Sequence, residues 1–149
     1  MTTPQKFLLD ECVSLPIVAA LRKHVDTLPV PAHLFHIIEL GMNAQSDEDW
    51  IPKIAEEGWV VISGDKGKGG LRKGQKLKAI CASFGVTHIL VSAKIQERKV
   101  AEKIELFKAA WEMIAATSES EPGTRFSMRF DNAGDIILQK MRIFPSRPS

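Results

Sequence analysis

The sequence lacks several features that would place it in well-marked classes of protein. It has no tyrosine and only two cysteines, Cys12 and Cys81, and neither forms a CxxC pair or lies near a histidine in metal-ligand spacing. We therefore expect two reduced, buried thiols and no disulfide framework. No apolar run approaches the roughly 20 residues of a membrane-spanning helix, and the first residues show no secretory signal pattern. These absences predict a cytoplasmic protein without a membrane partner.

What is present is typical of one globular domain, with 44% hydrophobic and 26% charged residues in a chain of 149. Apolar periodicity predicts strands that alternate with helices: strands at 6–10, 33–40, 59–63 and 87–92, and helices at 15–25, 47–57, 75–84 and 96–116. A DNAG turn then separates two further strands, which predicts a hairpin. The alternation predicts a layered α/β fold with a mostly parallel sheet. We predict a single domain over 1–149, with a core of about residues 6–116 and a hairpin extension of about residues 124–145.

Acidic residues follow two of the predicted strands and begin one of the helices. Asp10 ends the apolar run KFLLDE, Asp65 ends WVVISGD, and Asp47, Glu48 and Asp49 open an amphipathic segment. In an open parallel sheet, sites form beyond the carboxyl ends of the strands, so these acids can converge at one edge. Carboxylates that converge need a cation, because like charges a few ångströms apart cannot all stay ionised. The pattern predicts a divalent metal site with oxygen ligands, of the Mg²⁺ or Mn²⁺ type.

The acids differ in how well this interpretation suits them. Asp10 and Asp65 are the first choices as direct ligands, although strand-end acids also form loop hydrogen bonds. Asp47 is the third choice, and a helix N-terminus stabilises an acid there even without metal. Asp49 is the alternative third ligand, and it also suits a capping box with the preceding serine. Glu11 either assists, by binding metal through water or by orienting the nucleophile, or is a surface acid.

A basic segment begins directly after Asp65. Residues 1–65 carry four Lys/Arg and ten Asp/Glu, whereas residues 66–149 carry sixteen and eight. Six of the basic residues lie close together among glycines and with no acid between them: Lys66, Lys68, Arg72, Lys73, Lys76 and Lys78. The segment has no GxxxxGK[ST] pattern and is therefore not a Walker P-loop. We interpret it as a nucleic-acid-binding loop that contacts phosphates beside the metal, and the alternative is a solvated flexible loop.

Two stretches, FLLDECVSLPIVAALR and HIIELGMNAQSDEDWIPKIAEEGWVVISGDKG, resemble the compact PIN-like nuclease domains related to bacterial toxins. The resemblance covers about residues 6–67 and rests on Asp10-Glu11 after the first strand, Ser46-Asp47 at a helix start, and Asp65 after a later strand. It implies a three-layer α/β/α sandwich and a Mg²⁺- or Mn²⁺-dependent endoribonuclease. It also implies an RNA substrate, a role as the toxin of a toxin–antitoxin pair, and an antitoxin partner.

Two departures from that family pattern leave alternatives open. Gly67 stands where relatives often carry another acid, and Cys12 stands where many carry asparagine. The chain could thus be a catalytically inactive PIN-like nucleic-acid-binding or interaction module. It could also be a receiver-like phosphoacceptor, with Ser92 and Lys94 after the fourth strand. The order of the elements and the basic segment beside the acids favour the nuclease. Exposed edge strands of the sheet would allow a homodimer.

Overall fold

The computed structural model describes residues 4–11, 13–42, 46–64 and 79–141, and for Asp47 the backbone alone. The strands are β1 (Gln5–Leu9), β2 (Ala32–His36), β3 (Val60–Gly64), β4 (Thr87–Val91), β5 (Arg125–Phe130) and β6 (Ile136–Lys140). The helices are α1 (Leu15–Asp26), α2 (Asp47–Ala55), α3 (helical at 79–84), α4 (Ala93–Gln96) and α5 (Val100–Ala116). A 3-10 turn, Thr117–Glu119, extends α5. No helix in this part of the chain is long and apolar enough to cross a membrane.

The six strands form one sheet in the order β2-β1-β3-β4-β5-β6. Every neighbouring pair is parallel except β5 and β6, which are antiparallel. The predicted α/β fold with a mostly parallel sheet and a C-terminal hairpin is therefore confirmed. In the hairpin turn, the Asp131 carboxylate accepts hydrogen bonds from the amides of Ala133 and Asp135, both at 2.9 Å. Gly134 has a φ of +87°, which explains the glycine of the DNAG turn.

One face of the sheet is covered by α1 and α5. Phe7 and Leu9 alternate with Leu8 along β1, and their side chains point to this face. α1 buries its apolar stripe here because Ile17, Val18, Leu21 and Val25 recur at helical spacing. α5 adds four buried residues, Phe107, Ala110, Trp111 and Ile114. The rings of Phe7 and Trp111 meet edge to face with centroids 5.0 Å apart.

The opposite face carries a second hydrophobic cluster under α2 and α3. Leu8 of β1 and Val61 of β3 point to this face and pack with buried residues of the two helices, including Trp50, Ile51 and Cys81. The three tryptophans are buried, as expected for core residues, with Trp50 2%, Trp59 6% and Trp111 3% exposed. Cys81 is buried, as predicted, whereas Cys12 lies outside the described residues. Helices on both faces make the arrangement a three-layer α/β/α sandwich.

The connection from β4 to β5 has the hand opposite to that of the other three crossovers. From β2 to β3 and from β3 to β4, the chain moves toward the β6 edge of the sheet across the face that holds α2 and α3. From β4 to β5 it moves in the same direction, but α5 crosses the other face, which holds α1. About 98% of such parallel crossovers are right-handed, so this connection is unusual. As a result, no helix among the described residues covers the second face at β5 and β6, where Arg125 and Arg129 lie half-buried.

Two predicted elements differ from the structure. The strand predicted at 33–40 ends at His36, because the chain turns there and the Leu40 amide donates back to the His36 carbonyl. The helix predicted at 96–116 begins only at Val100, because Gln96 belongs to the separate short helix α4 and Lys99 is extended between the two helices. The Gln96 side chain donates to the Val91 carbonyl at 2.9 Å, which ties α4 to the end of β4 while α5 follows the sheet.

Candidate active site

The edge at the carboxyl ends of β1 and β3 is the point where the strand order reverses. β2 lies on one side of β1 and β3 on the other, and the helices α1 and α2 leave toward opposite faces. Chain connections that diverge in this way leave a crevice outside the strand ends, where ligands bind in open α/β sheets. The acids identified in the sequence belong to segments that reach this crevice.

Asp10 is held at this edge by its backbone. Its amide donates to the Ile62 carbonyl of β3 at 3.0 Å, and its carbonyl accepts the Val13 amide at 3.0 Å. Alternation along β1 directs the side chain to the same face as Leu8, under α2. Only 9% of Asp10 is exposed. A carboxylate this buried is stable in its ionised form only with polar or cationic compensation nearby. Glu11, the next residue, is exposed.

The N-terminus of α2 opens at the same edge, because the helix follows β2 and packs on the face to which Asp10 points. Ser46 occupies the N-cap position, and its hydroxyl donates to Oδ2 of Asp49 at 2.9 Å. Asp49 is thus engaged in a hydrogen bond at the helix start. The predicted capping box is incomplete, since the Ser46 side chain makes no cap hydrogen bond to a backbone amide.

The remaining predicted site residues lie outside the described residues. β3 ends at Gly64, directly before Asp65. Asp65 itself, the side chain of Asp47 and the whole predicted phosphate-binding segment are not described, the last comprising Lys66, Lys68, Arg72, Lys73, Lys76 and Lys78. Within the described residues, no group of three or more His, Cys, Asp or Glu side chains could hold a metal ion.

His36, which the sequence did not single out as functional, connects the loop after Asp10 to the end of β2. The side chain is buried, with 1% exposed, and Nδ1 accepts the Ile38 amide at 3.1 Å. Nε2 must then carry the proton, which it donates to the Val13 carbonyl at 2.7 Å. Because Val13 also binds the Asp10 carbonyl, the imidazole fixes the loop that carries Asp10 and Glu11. No sequence signal marked this role, because the strand predicted at 33–40 placed His36 in its middle.

Comparison with known protein families identifies the fold. The profile of the family described as PIN like domain matches residues 5–93, more than half of the chain. The chain belongs to the PIN-like domain family. The match runs from β1 to the first residue of α4 and includes Asp10, Asp47 and Asp65. No curated protein and no solved structure gives a match.

The predicted ligands of this PIN-like domain are all carboxylates, and among them the side chain of Asp10 is described at the crevice. Members of the family are generally nucleases and typically use divalent metals. Carboxylate oxygens are the ligands that Mg²⁺ and Mn²⁺ prefer. At the same edge, the hydroxyls of Ser14, after β1, and Ser92, after β4, are buried without a hydrogen-bond partner among the described residues. Buried hydroxyls of this kind need water, an ion or a further protein group as a hydrogen-bond partner. The edge of the sheet therefore has polar groups available for a water molecule or an ion.

A buried serine–histidine pair lies behind the crevice of the PIN-like domain. The Ser63 hydroxyl and Nε2 of His88 are 2.5 Å apart on the neighbouring strands β3 and β4, and each residue is 1% exposed. Such burial keeps a substrate away from the hydroxyl, which agrees with the absence of a nucleophile-elbow pattern in the sequence. Ser63 precedes Asp65 by two residues, so the pair stabilises the strand end from which Asp65 emerges.

Arg22 and Glu39 support the same edge from α1. Arg22 donates to both carboxylate oxygens of Glu39, at 2.9 Å for one of them, and to the Leu34 carbonyl at 2.8 and 3.0 Å. The His36 amide also donates to Glu39, at 2.9 Å. The hydrogen bonds from Arg22 lower the pKa of Glu39 below its ordinary value of 4.5, and the His36 amide adds to the effect against the opposing effect of burial. The turn after β2 is thus tied to α1.

Proposed function

We propose that this PIN-like domain is a Mg²⁺- or Mn²⁺-dependent endoribonuclease that hydrolyses RNA phosphodiester bonds. The observation that carries the proposal is the position of Asp10. Its carboxylate is buried at the end of β1, where the strand order reverses and where β3 ends and α2 begins. This is the crevice in which an open α/β sheet binds its ligand. Membership of a family that is generally nuclease supports the same reaction class.

In this proposal Asp10, Asp47 and Asp65 would hold the metal, because all three acids belong to segments that end or begin at the crevice. A bound divalent ion supplies an activated water and neutralises charge on the phosphoryl oxygens. Glu11 is exposed beside Asp10 and would accept a hydrogen bond from the attacking water, which orients it. His36 and Ser63 are positioning residues, since they contact the backbone or the strand that carries the acids and are themselves buried.

The basic segment after Asp65 would bind the phosphates of the RNA. The six residues Lys66, Lys68, Arg72, Lys73, Lys76 and Lys78 follow the proposed ligand directly in the sequence. Lysine and arginine contacts to phosphates provide affinity that does not depend on base sequence. Glycines in the segment permit the close approach of the backbone to the nucleic acid.

We further propose that the domain is the toxin of a toxin–antitoxin pair and acts in the cytoplasm. An antitoxin protein that covers the crevice or replaces a ligand would then control it. The outer edges of β2 and β6 pair with no other strand among the described residues, so either edge can receive a strand from the antitoxin or from a second copy in a homodimer.

The test of the nuclease proposal is cleavage of a structured and a single-stranded RNA by the purified protein with Mn²⁺, Mg²⁺ or EDTA. We expect cleavage with metal and none with EDTA. Asp10→Asn should reduce the rate at least a hundredfold, because the buried ligand oxygen loses its charge. The matched control is Asp26→Asn, an exposed acid at the end of α1 and hence at the opposite edge of the sheet.

Cleavage that is equal in wild type and Asp10→Asn would contradict the proposed site. A folded protein that binds RNA equally well in EDTA and cleaves under no condition would instead support the inactive nucleic-acid-binding or interaction module. Gly67, in place of an acid that relatives often carry, is the sequence feature that favours this alternative.

The receiver-like alternative is weakened by the end of β5. The order β2-β1-β3-β4-β5 is shared with receiver domains, so the order of the elements does not separate the two functions as the sequence suggested. A receiver needs a Thr or Ser and a Lys at the ends of later strands; Ser92 and Lys94 follow β4, whereas β5 ends at Phe130 and Asp131 follows in the hairpin turn, so β5 adds no lysine there. Incubation with a small phosphodonor such as acetyl phosphate should leave Asp65 unphosphorylated by mass spectrometry.

A further inference from the structure

A cavity opens at the end of the molecule opposite the crevice. It has a volume of about 370 Å³, within the range of ligand pockets. It lies on the face that holds α1 and α5, at the edge where β1 and β2 begin, and Phe7 and Trp111 form part of its lining. The loop between α1 and β2 forms one side, and the last turns of α5 form the other. The proposed nuclease site uses none of these residues.

The walls of this cavity are apolar and preformed. Pro29 and Pro31 flank Val30 in the loop, and the two proline rings fix the backbone torsion φ on either side of it. Val30 is 68% exposed, more than any other large hydrophobic residue described. Ala115 and Ala116 on α5 line the opposite side, and their small side chains leave the volume open. An apolar side chain can therefore enter without displacement of the core.

The only charged residues in the lining are two glutamates. Glu112 and Glu119 are both exposed and have no ion-pair partner among the described residues, and no lysine or arginine lines the cavity. Glu119 follows Glu112 by seven positions on α5 and its 3-10 extension, which places them about 12 Å apart along the helix axis. An occupant that matches this arrangement presents an apolar group between two cations.

We propose that the cavity is a docking site for a basic peptide segment of a partner protein, which inserts one large apolar side chain between two lysines or arginines. A polypeptide is favoured over a small molecule, because the two carboxylates lie farther apart than the width of a single apolar group, and a chain can present cations on both sides of its anchor. The proposal is independent of the nuclease function, since it uses the opposite edge of the sheet.

The test is a titration of the full-length ¹⁵N-labelled protein with the blocked peptide KLFLK, followed by NMR. We expect saturable shifts of the Ala115 and Ala116 amides and of the Trp111 indole signal. Glu112→Gln combined with Glu119→Gln should weaken binding about fivefold to tenfold, because two rim charge pairs are lost. Ala116→Phe, at an exposed lining position, should abolish binding by filling the cavity.

The matched control is Glu105→Gln, which removes a carboxylate of the same helix outside the cavity and should leave the affinity unchanged. The peptides NLFLN and ELFLE keep the apolar anchor and remove or reverse the charge. Equal affinity for KLFLK and NLFLN would overturn the proposal, as would the absence of saturable shifts at the cavity. If the cavity signals shift with protein concentration in the absence of peptide, a second copy of the chain occupies the cavity, and the proposal is overturned. The dispersion of each variant's spectrum reports whether it is folded.

Discussion

At the scale of single residues, His36 is the side chain that does most to fix the loop with Asp10 and Glu11 at the candidate site. Both ring nitrogens are used, one by the Ile38 amide and one by the Val13 carbonyl, in a side chain that is 1% exposed. The neutral form with its proton on Nε2 satisfies both partners. No aliphatic side chain replaces these bonds, so removal of the imidazole takes a partner from the buried Val13 carbonyl and from the part-buried Ile38 amide.

We predict that His36→Leu lowers the free energy of unfolding by about 1–3 kcal/mol, since the buried Val13 carbonyl and the part-buried Ile38 amide lose their hydrogen bonds. The measurement is urea denaturation followed by tryptophan fluorescence. His33→Leu is the matched control, because His33 lies on the same strand with an exposed side chain, and we expect it to change the free energy by about 0.5 kcal/mol or less. Equal losses in the two variants would contradict the assignment. If His36 positions the acidic loop, Mn²⁺ affinity measured by calorimetry should also fall in His36→Leu alone.

Arg22 and Glu39 give a pH-dependent contribution to stability with a definite sign. The pKa of Glu39 is lowered in the folded protein, chiefly by the hydrogen bonds from Arg22. The contribution is therefore complete above the ordinary value of 4.5 and is lost as the pH falls through the lower folded pKa. Both side chains are more than a third exposed, at 37% and 36%, so solvent screening keeps the contribution small.

We predict that Glu39→Gln costs about 1 kcal/mol of unfolding free energy at neutral pH, and that the difference from wild type shrinks as the solution is acidified below pH 4.5. Urea denaturation at a series of pH values measures it. Glu102→Gln, in the exposed ion pair with Arg98, is the control, and we expect a smaller cost because the pair has a single contact at 3.5 Å. A difference for Glu39→Gln that grows on acidification would contradict the sign.

At the scale of secondary-structure elements, the contact between α5 and the sheet stabilises the unusual β4-to-β5 crossover. Trp111 is 3% exposed and meets Phe7 edge to face across the layer boundary. Apolar burial and an aromatic pair of this geometry together make a large local contribution. The element depends on this packing, because α5 has no side-chain cap hydrogen bond at its first residue.

We predict that Trp111→Ala lowers the free energy of unfolding by about 3–5 kcal/mol, since a large cavity replaces the indole. Thermal and urea denaturation followed by circular dichroism measure the change, because the substitution removes a fluorophore. Met113→Ala is the matched control on the exposed side of the same helix, where 38% of the side chain is accessible, and we expect a cost of about 0.5 kcal/mol. A loss below that of the control would mean that α5 is not held by this contact.

At the scale of the whole molecule, the distribution of charge sets the expected mode of RNA binding. The acidic first part of the chain supplies the proposed metal ligands, and the basic segment follows it in sequence. If this segment binds phosphates, RNA affinity must depend on salt, because each neutralised phosphate releases counterions.

We predict that Lys66→Ala combined with Lys68→Ala reduces the slope of log affinity against log salt by about 1.4, or about 0.7 for each contact with single-stranded RNA. Fluorescence anisotropy with a labelled RNA, at several salt concentrations and in EDTA to prevent cleavage, measures the slope. Lys23→Ala combined with Lys53→Ala is the charge-matched control, since both lysines are exposed in the last turns of α1 and α2, away from the crevice. Equal slopes in the two double variants would exclude the segment as the binding surface.

The succession of strands and helices along the chain could be predicted from the sequence, with most of their ends correct to within a few residues, because apolar periodicity and turn residues are local signals. Two ends of secondary-structure elements could not be predicted from the sequence. The strand that stops at His36 reads on as HIIEL, and the break before α5 contains no proline or glycine. At His36 the ring binds Val13, 23 residues earlier in the chain, and apolar periodicity carries no signal of such a contact. Before α5 the contact is local, from the Gln96 side chain to the Val91 carbonyl, but it is a side-chain hydrogen bond that apolar periodicity does not reveal either.

The sequence by itself determined that acids follow β1 and β3 and precede α2, that the chain alternates strands with helices, and that it belongs to the PIN-like family. The tertiary structure decided which strands are neighbours, and with them the position of the crevice between β1 and β3. It also decided that His36 and the Ser63–His88 pair support that edge. The physical reason is range: periodicity and capping act within a few residues, whereas strand order and buried hydrogen bonds join residues far apart in the chain.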